Sequence, residues 1–449
     1  MPVQIPFPYF EIEANADGTA KDPSQISALL SGVKQNAITD LFVASHGWNN
    51  DAAEAHALYQ ELFTNVAAQA KTSAADRKFG VAGIIWPSKR FDVADDAPNA
   101  ASLGDGHARV AKQIDTLADF LSTGHAGATD KKELAHAKSL LPKLESSAAA
   151  RKEFAEIILA RLPRSVAEEG DHHLDPSAGK QMIANDQLLQ KLGTPPAKIA
   201  TSGGGAASMP SGHTQTASNF QGTAGLGDFL KGVVAGASNL LNYVTYYQMK
   251  DRAGKVGRGV VNMVLRKLQD EAPNVRVHLV GHSFGCRVVT GAVTGDATTS
   301  RNFVSSMTLL QGAFSHYSFS PSYDKSNKPG FYRNLVTESR VKGPVLITHT
   351  RADKAVGLAY AIASRLAGQM ASAVGDSNDP FGGLGSNGAQ KTAEARDGTM
   401  PKVGGKFDKP LANGTMTNLL ADGLIHDHSD VRSPNAAYTV LSGALTVAD

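Results

Sequence analysis

Gly281-His282-Ser283-Phe284-Gly285 sets a hydroxyl between two glycines in the spacing G-x-S-x-G. Val275, Val277, Leu279 and Val280 before it read as a strand entering the interior, and Arg287 through Val293 after it continue as a helix. A serine at so sharp a strand-to-helix turn is forced into strained backbone. Glycine is needed two positions either side, because side chains there would collide with the strand and the helix. The hydroxyl is thereby raised above the sheet edge, beside a backbone N–H and a helix N-terminus able to hold a developing oxyanion. The five-letter pattern alone recurs by chance and then marks an inert turn. Set in strand–turn–helix, it points to Ser283 as a nucleophile.

A second segment bears on the same chemistry. Leu41, Phe42, Val43 and Ala44 form a short apolar run of the kind found in a buried parallel strand. It ends in His46-Gly47-Trp48-Asn49-Asn50, a polar turn before a helix expected from about Ala52 to Ala70. A chain reversal just after a strand, with a glycine permitting close approach, suits a loop that offers a second oxyanion donor. The expected pair of donors is the backbone amides of Trp48 and Phe284. His46, at the mouth of this loop, reads as a brace rather than a base.

With these two segments the chain resembles the α/β-hydrolase superfamily, over most of its length outside one long insertion. The resemblance implies the chain order serine, acid, histidine. Asp353 then stands where the family keeps its acid, in the loop after the buried strand Val345–Thr350. His428 is the implied histidine, because His-Ser-Asp leading into a final helix is similar to the ending of related bacterial hydrolases; His426 is the fallback. Asp427 and Asp430 are possible orienters of the imidazole, though sequence neighbours rarely reach that geometry. Ser283 would attack a carbonyl carbon, His428 would take and return its proton, and Asp353 would fix the imidazole tautomer. Such chemistry calls for no metal or organic cofactor. A histidine base implies activity that rises through about pH 6–7, as imidazole becomes neutral.

Strands alternating with helices predict an α/β chain with a mostly parallel central sheet flanked by helices. Strands are expected near Tyr9–Ala14, Leu41–Ala44, Gly80–Trp86, Val275–Val280, Ser305–Leu310, Val345–Thr350 and Met416–Leu420. Residues 1–91 and 243–449 are read as the core, and 92–242 as a largely helical cap or lid placed over the carboxyl edge of the sheet. Apolar stripes such as Val110, Ile114, Leu117 and Leu121 recur at helical spacing there. A flexible Gly/Ser-rich segment at about 201–227 precedes a stripe containing Phe229, Leu230, Val233 and Val234. These four are lid candidates for covering an apolar acyl group, against the plainer reading of packing onto the core. Residues 375–414 form a second, loop-rich insertion. Its Gly383-Leu384-Gly385-Ser386-Asn387-Gly388 is a formal G-x-G-x-x-G with no strand before it and no helix expected after it, so dinucleotide binding is set aside. Asp171-His172-His173-Leu174-Asp175 has metal-ligand residue types without metal-ligand spacing.

A net charge of +2 with 19% charged residues, and no basic stripe interleaved with aromatics, argues against a nucleic-acid partner. There is no run of 18 apolar residues to span a membrane. Met1-Pro2-Val3-Gln4-Ile5-Pro6-Phe7 has neither the basic nor the apolar region of a secretory signal, so a cytoplasmic location is expected, with signal-independent export left open. The single cysteine, Cys286, fits a reducing compartment and reads as a small packing residue. The function expected is a serine hydrolase cleaving carboxylic esters, of esterase or lipase type, with hydrophobic acyl, lipid-like or polyester substrates favoured. Two alternatives stand beside it: a serine peptidase or amidase with the same triad, and a catalytically silent binding module.

Overall fold

The computed structural model describes residues 4–88, 103–122, 128–163, 186–193, 226–295, 303–323, 327–353 and 382–447. Eight strands form one parallel sheet: β1 (Tyr9–Glu13), β2 (Asp40–Ser45), β3 (Phe79–Ile85), β4 (Arg276–His282), β5 (Val304–Leu310), β6 (Val345–His349), β7 (Ala395–Thr399) and β8 (Met416–Leu420). Their order is β1-β3-β2-β4-β5-β6-β8-β7. The central strands β2, β3 and β5 are buried at every position, which is why β2 and β3 read as nearly continuous apolar runs rather than alternating ones, while β5 buries Ser305, Ser306 and Thr308 as well. After β2 the chain turns to one side to form β3 and then returns to the other side to form β4. Ligands of open α/β sheets bind beyond the carboxyl ends of the strands at such a reversal.

Helices cover both faces. α1 (Pro23–Gln35) begins at Asp22, whose carboxylate accepts from Ser24 N, with Pro23 at the first helical position. α2 (Ala52–Ser73) begins in a capping box, where Asp51 accepts from Glu54 N at 2.9 Å and Glu54 accepts from Asp51 N at 2.7 Å. Between β3 and β4 lie α3 (Leu103–Ser122), α4 (Ala128–Leu140), α5 (Ala148–Leu159), α6 (Leu188–Gly193) and the long α7 (Leu226–Val256). α7 runs through a π turn at Gly257–Val261 into α8 (Asn262–Glu271). At this turn the Val260 amide donates to Gly18 O at 2.7 Å, and side chains at Gly257 or Gly259 would collide with the carbonyls of Val288 and Gly18. α9 (Phe284–Thr294) follows β4, and α12 (Pro434–Leu445) closes the fold after the short helices α10 (Arg333–Thr337) and α11 (Leu384–Asn387). α1, α7, α8 and α9 pack their apolar residues on one side of the sheet, and α2 and α12 on the other.

Residue 242 falls inside α7, so a single helix carries both the end of the segment read as a cap and the start of the one read as core. Arg252 of that helix donates to Pro87 O, beyond β3, and to Phe120 O of α3, with its guanidinium 3.6 Å from the Phe120 ring centre. It ties the helical segment to the end of the sheet. β7, absent from the sequence reading, is an edge strand of sequence Ala-Arg-Asp-Gly-Thr that is mostly exposed, so it carries no apolar signal. The segment at Gly383–Gly388 does open a helix, the four-residue α11, contrary to the sequence expectation. Among the described residues no helix is long and apolar enough to cross a membrane. The 201–225 part of the Gly/Ser-rich segment, and His172 and His173, lie outside the described residues.

Candidate active site

Ser283 sits between β4 and α9 with φ +57° and ψ −122°, left-handed backbone that a residue with a side chain adopts at a cost of order 1–3 kcal/mol. The surroundings hold it there. Its amide donates to Leu310 O at 3.1 Å, and its carbonyl accepts from Cys286 N and Ala313 N. A Cβ on Gly281 would stand 2.5 Å from the Cα of Cys286, and one on Gly285 would strike the carbonyl oxygens of Ser45 and His46. Both glycines of the motif are therefore sterically required. Cys286 donates its S–H to Gly281 O at 3.1 Å, and burial drives its thiol well above the ordinary pKa range.

Ser283 Oγ lies 2.7 Å from His428 Nε2, and His428 Nδ1 lies 2.8 Å from Asp353 Oδ2. The carboxylate accepts from Nδ1–H, leaving Nε2 free to accept the serine proton. The Asp353 side chain is fully buried, while the imidazole retains 22% of its exposure. Asp353 follows β6 in a tight turn: its amide donates to Thr350 O, and Asp422 accepts from Thr350 Oγ1 and from Arg351 N. Gly385 of α11 packs directly behind the carboxylate. A Cβ there would stand 2.7 Å from Asp353 Oδ2 and 3.0 Å from the Cα of Gln311. Gly385 is the middle glycine of the G-x-G-x-x-G.

His428 is carried in the loop after β8. Asp427 accepts from Ser429 N and Oγ, each at 2.7 Å, which holds its carboxyl below the usual range. Asp430 accepts from His426 N. Both acids thus shape the loop, and the imidazole's acidic partner is Asp353. His426 is exposed.

The loop after β2 lies against the serine: a Cβ on Gly47 would stand 2.7 Å from Ser283 Cβ. Among the described residues neither the Trp48 nor the Phe284 amide has an acceptor. The indole of Trp48 packs on Phe284 at 5.9 Å and on Tyr246 of α7 at 6.1 Å, and Tyr246 meets Phe284 at 5.1 Å. His46 is fully buried and occupied on both ring nitrogens. Nε2 accepts from Trp86 N at 3.2 Å, and Nδ1 donates to Gly47 O at 2.9 Å. Burial lowers its pKa to about 4, so it stays neutral and braces the loop.

Of the four lid candidates, Val233 and Val234 are buried among the helices, with Gly106 of α3 against Val234. Gly193 of α6 and Gly236 of α7 bring those two helices into backbone contact. The Phe229 and Leu230 side chains lie outside the described residues. Sequence reasoning missed His282, whose ring touches the His428 loop; Asp422 and Gly385, which hold the acid; and Tyr246, which packs buried against Trp48 and Phe284. Gly385 and His282 both lay inside quoted motifs, where their spacing was legible but their neighbours were not. The chain matches no protein-family model, no curated protein and no solved structure.

Proposed function

We propose that the chain is a serine hydrolase of the α/β-hydrolase type that cleaves carboxylic esters through an acyl-enzyme. The observation that carries this reading is the continuous hydrogen-bonded line from Ser283 through His428 to Asp353, built on a strained elbow at the topological reversal of the sheet. Ser283 Oγ attacks the ester carbonyl carbon as His428 Nε2 takes its proton. The tetrahedral oxyanion accepts from the amides of Trp48 and Phe284, each worth about 3–4 kcal/mol in comparable sites. The carbon–oxygen bond to the alcohol breaks, and His428 returns the proton to the leaving oxygen. Water, deprotonated by the same nitrogen, then frees the acid and restores the serine. Asp353 keeps the imidazole in the competent tautomer and stabilises its cation.

An apolar acyl group is favoured by the apolar setting of the two amides, where Trp48 packs on the buried rings of Phe284 and Tyr246. On this reading the helices between β3 and β4 form a cap over the site, and the single buried cysteine suits a reducing cytoplasm. Ser283→Ala should lower kcat toward p-nitrophenyl esters by about four to six orders of magnitude with the fold intact. It should also abolish labelling by a fluorophosphonate. Retention of more than a few per cent of wild-type activity would refute the assignment. Comparing ester with peptide substrates separates an esterase from a peptidase using the same triad.

A further inference from the structure

We propose that His282 is a positioning residue that ties the catalytic histidine loop to the nucleophile elbow, through a hydrogen bond from its Nε2 to the main-chain oxygen of His428 at 2.8 Å. The inference rests on reading Ser283, His428 and Asp353 as a hydrolytic triad. A carbonyl oxygen only accepts, so the His282 proton resides on Nε2. The two rings stand 5.1 Å apart and tilted by 43°. His282 therefore holds the backbone of His428, not its ring, and leaves both ring nitrogens free for Asp353 and Ser283.

The opposite edge of the His282 ring abuts the other half of the site. A Cβ on Gly47 would stand 3.2 Å from His282 Nδ1 as well as 2.7 Å from Ser283 Cβ. Nδ1 is buried and has no hydrogen-bond partner, so the Nε2 bond and packing alone set the orientation of the ring. One side chain is thus wedged between the elbow, the loop carrying the Trp48 amide, and the loop carrying His428. The hydrogen bonds of Asp427 with Ser429, and of Asp430 with His426, lie within the histidine loop and fix its shape, not its distance from the serine. Burial lowers the His282 pKa to about 3, which keeps it a neutral donor through the range in which the base must work. Loss of the bond releases the His428 backbone, and a misplacement of about 1 Å in such a site costs on the order of 100-fold in rate.

The test compares H282L with H282Q, because a glutamine amide nitrogen reaches the Nε2 position whereas leucine offers no donor. With p-nitrophenyl butyrate, H282L should lose about 10- to 100-fold in kcat. Its KM should stay within about twofold, its rate of fluorophosphonate labelling should fall in parallel, and H282Q should recover a substantial share. A kcat for H282L within twofold of wild type overturns the proposal, as does equal impairment of H282L and H282Q with KM raised in both. Should H282L fail to fold, H282N replaces it, since asparagine places its donor near Nδ1; equal activity of H282N and H282Q would then refute the tether. Hydrogen exchange provides a readout independent of turnover. Amides 425–431 should exchange faster in H282L than in wild type, and unchanged protection there overturns the tether. If wild type neither turns over nor labels, it is the triad reading that fails, and the exchange result alone decides whether His282 anchors the loop.

Discussion

Lowering the pH from 7.5 to 5.0 should destabilise this protein by about 4 kcal/mol, through two buried imidazoles. His46 is fully enclosed and His282 is partly buried with its Nδ1 shut away from water, and burial lowers their pKa values from 6.5 to about 4 and about 3. The unfolded chain therefore takes up protons that the folded chain refuses. The associated stability is complete above the unfolded value near 6.5 and is lost as the pH falls toward the folded values. At pH 5.0 each ring contributes a loss of about 2 kcal/mol, from 1.36 kcal/mol per unit over the 1.5 units below the unfolded value. His278 and His349, also lowered by burial, act in the same direction. Asp40, held far below the usual carboxylate range by Arg276, His278 and Thr39 against its own burial, loses stability only beneath its unfolded pKa of 3.8 and so lies outside this window. Urea unfolding at pH 7.5, 6.5, 5.75 and 5.0 measures the slope, and H282L should remove about half of the His46 and His282 contribution. Stability that stays flat across this interval would refute the claim that both rings are buried neutral.

Four further outcomes are expected. Gly285→Ala should destabilise the fold by about 3 kcal/mol or more and abolish activity, because its Cβ would strike two backbone carbonyl oxygens that cannot move aside; a soluble, active variant in urea melts would contradict the packing. Gly385→Ala should lower kcat with little change in KM, since its Cβ would stand 2.7 Å from the Asp353 oxygen bound by His428; an unchanged kcat would show that the acid loop gives way freely. His428→Ala should inactivate while His426→Ala leaves kcat within about twofold, and the reverse pattern would reassign the base. Asp40→Asn should cost about 2–3 kcal/mol by leaving half-buried Arg276 and Arg77 without their carboxylate, at the amino-terminal ends of the strands, away from Ser283; equal stability in urea would refute it.

Much of the α/β framework was legible because it rests on local features. Buried parallel strands favour apolar runs, and Leu41–Ala44 and Gly80–Ile85 carry them, as do Val277, Leu279 and Val280 around the buried His278. The elbow was legible because its strained Ser283 requires glycine at two fixed positions. β7 was not, since an exposed edge strand has no buried face to leave an apolar pattern. Nor was the length of α7, where the Gly/Ser-rich segment before it and the glycines along it obscured a continuous helix.

The site divides in the same way. The sequence marked Ser283 through its local strand–turn–helix setting, and the family resemblance implied Asp353 and His428 as its partners in that chain order. It left the choice between His426 and His428 open. Two residues separate them, and only the fold of the loop decides that His428 stands 2.7 Å from Ser283 while His426 is exposed. The supports were decided by tertiary structure alone. Gly385 lies behind Asp353, Asp422 caps the acid turn, and His282 reaches the backbone of His428 across 146 positions of chain. Such contacts depend on how strands β4, β6 and β8 are ordered in the sheet, a property no local spacing encodes.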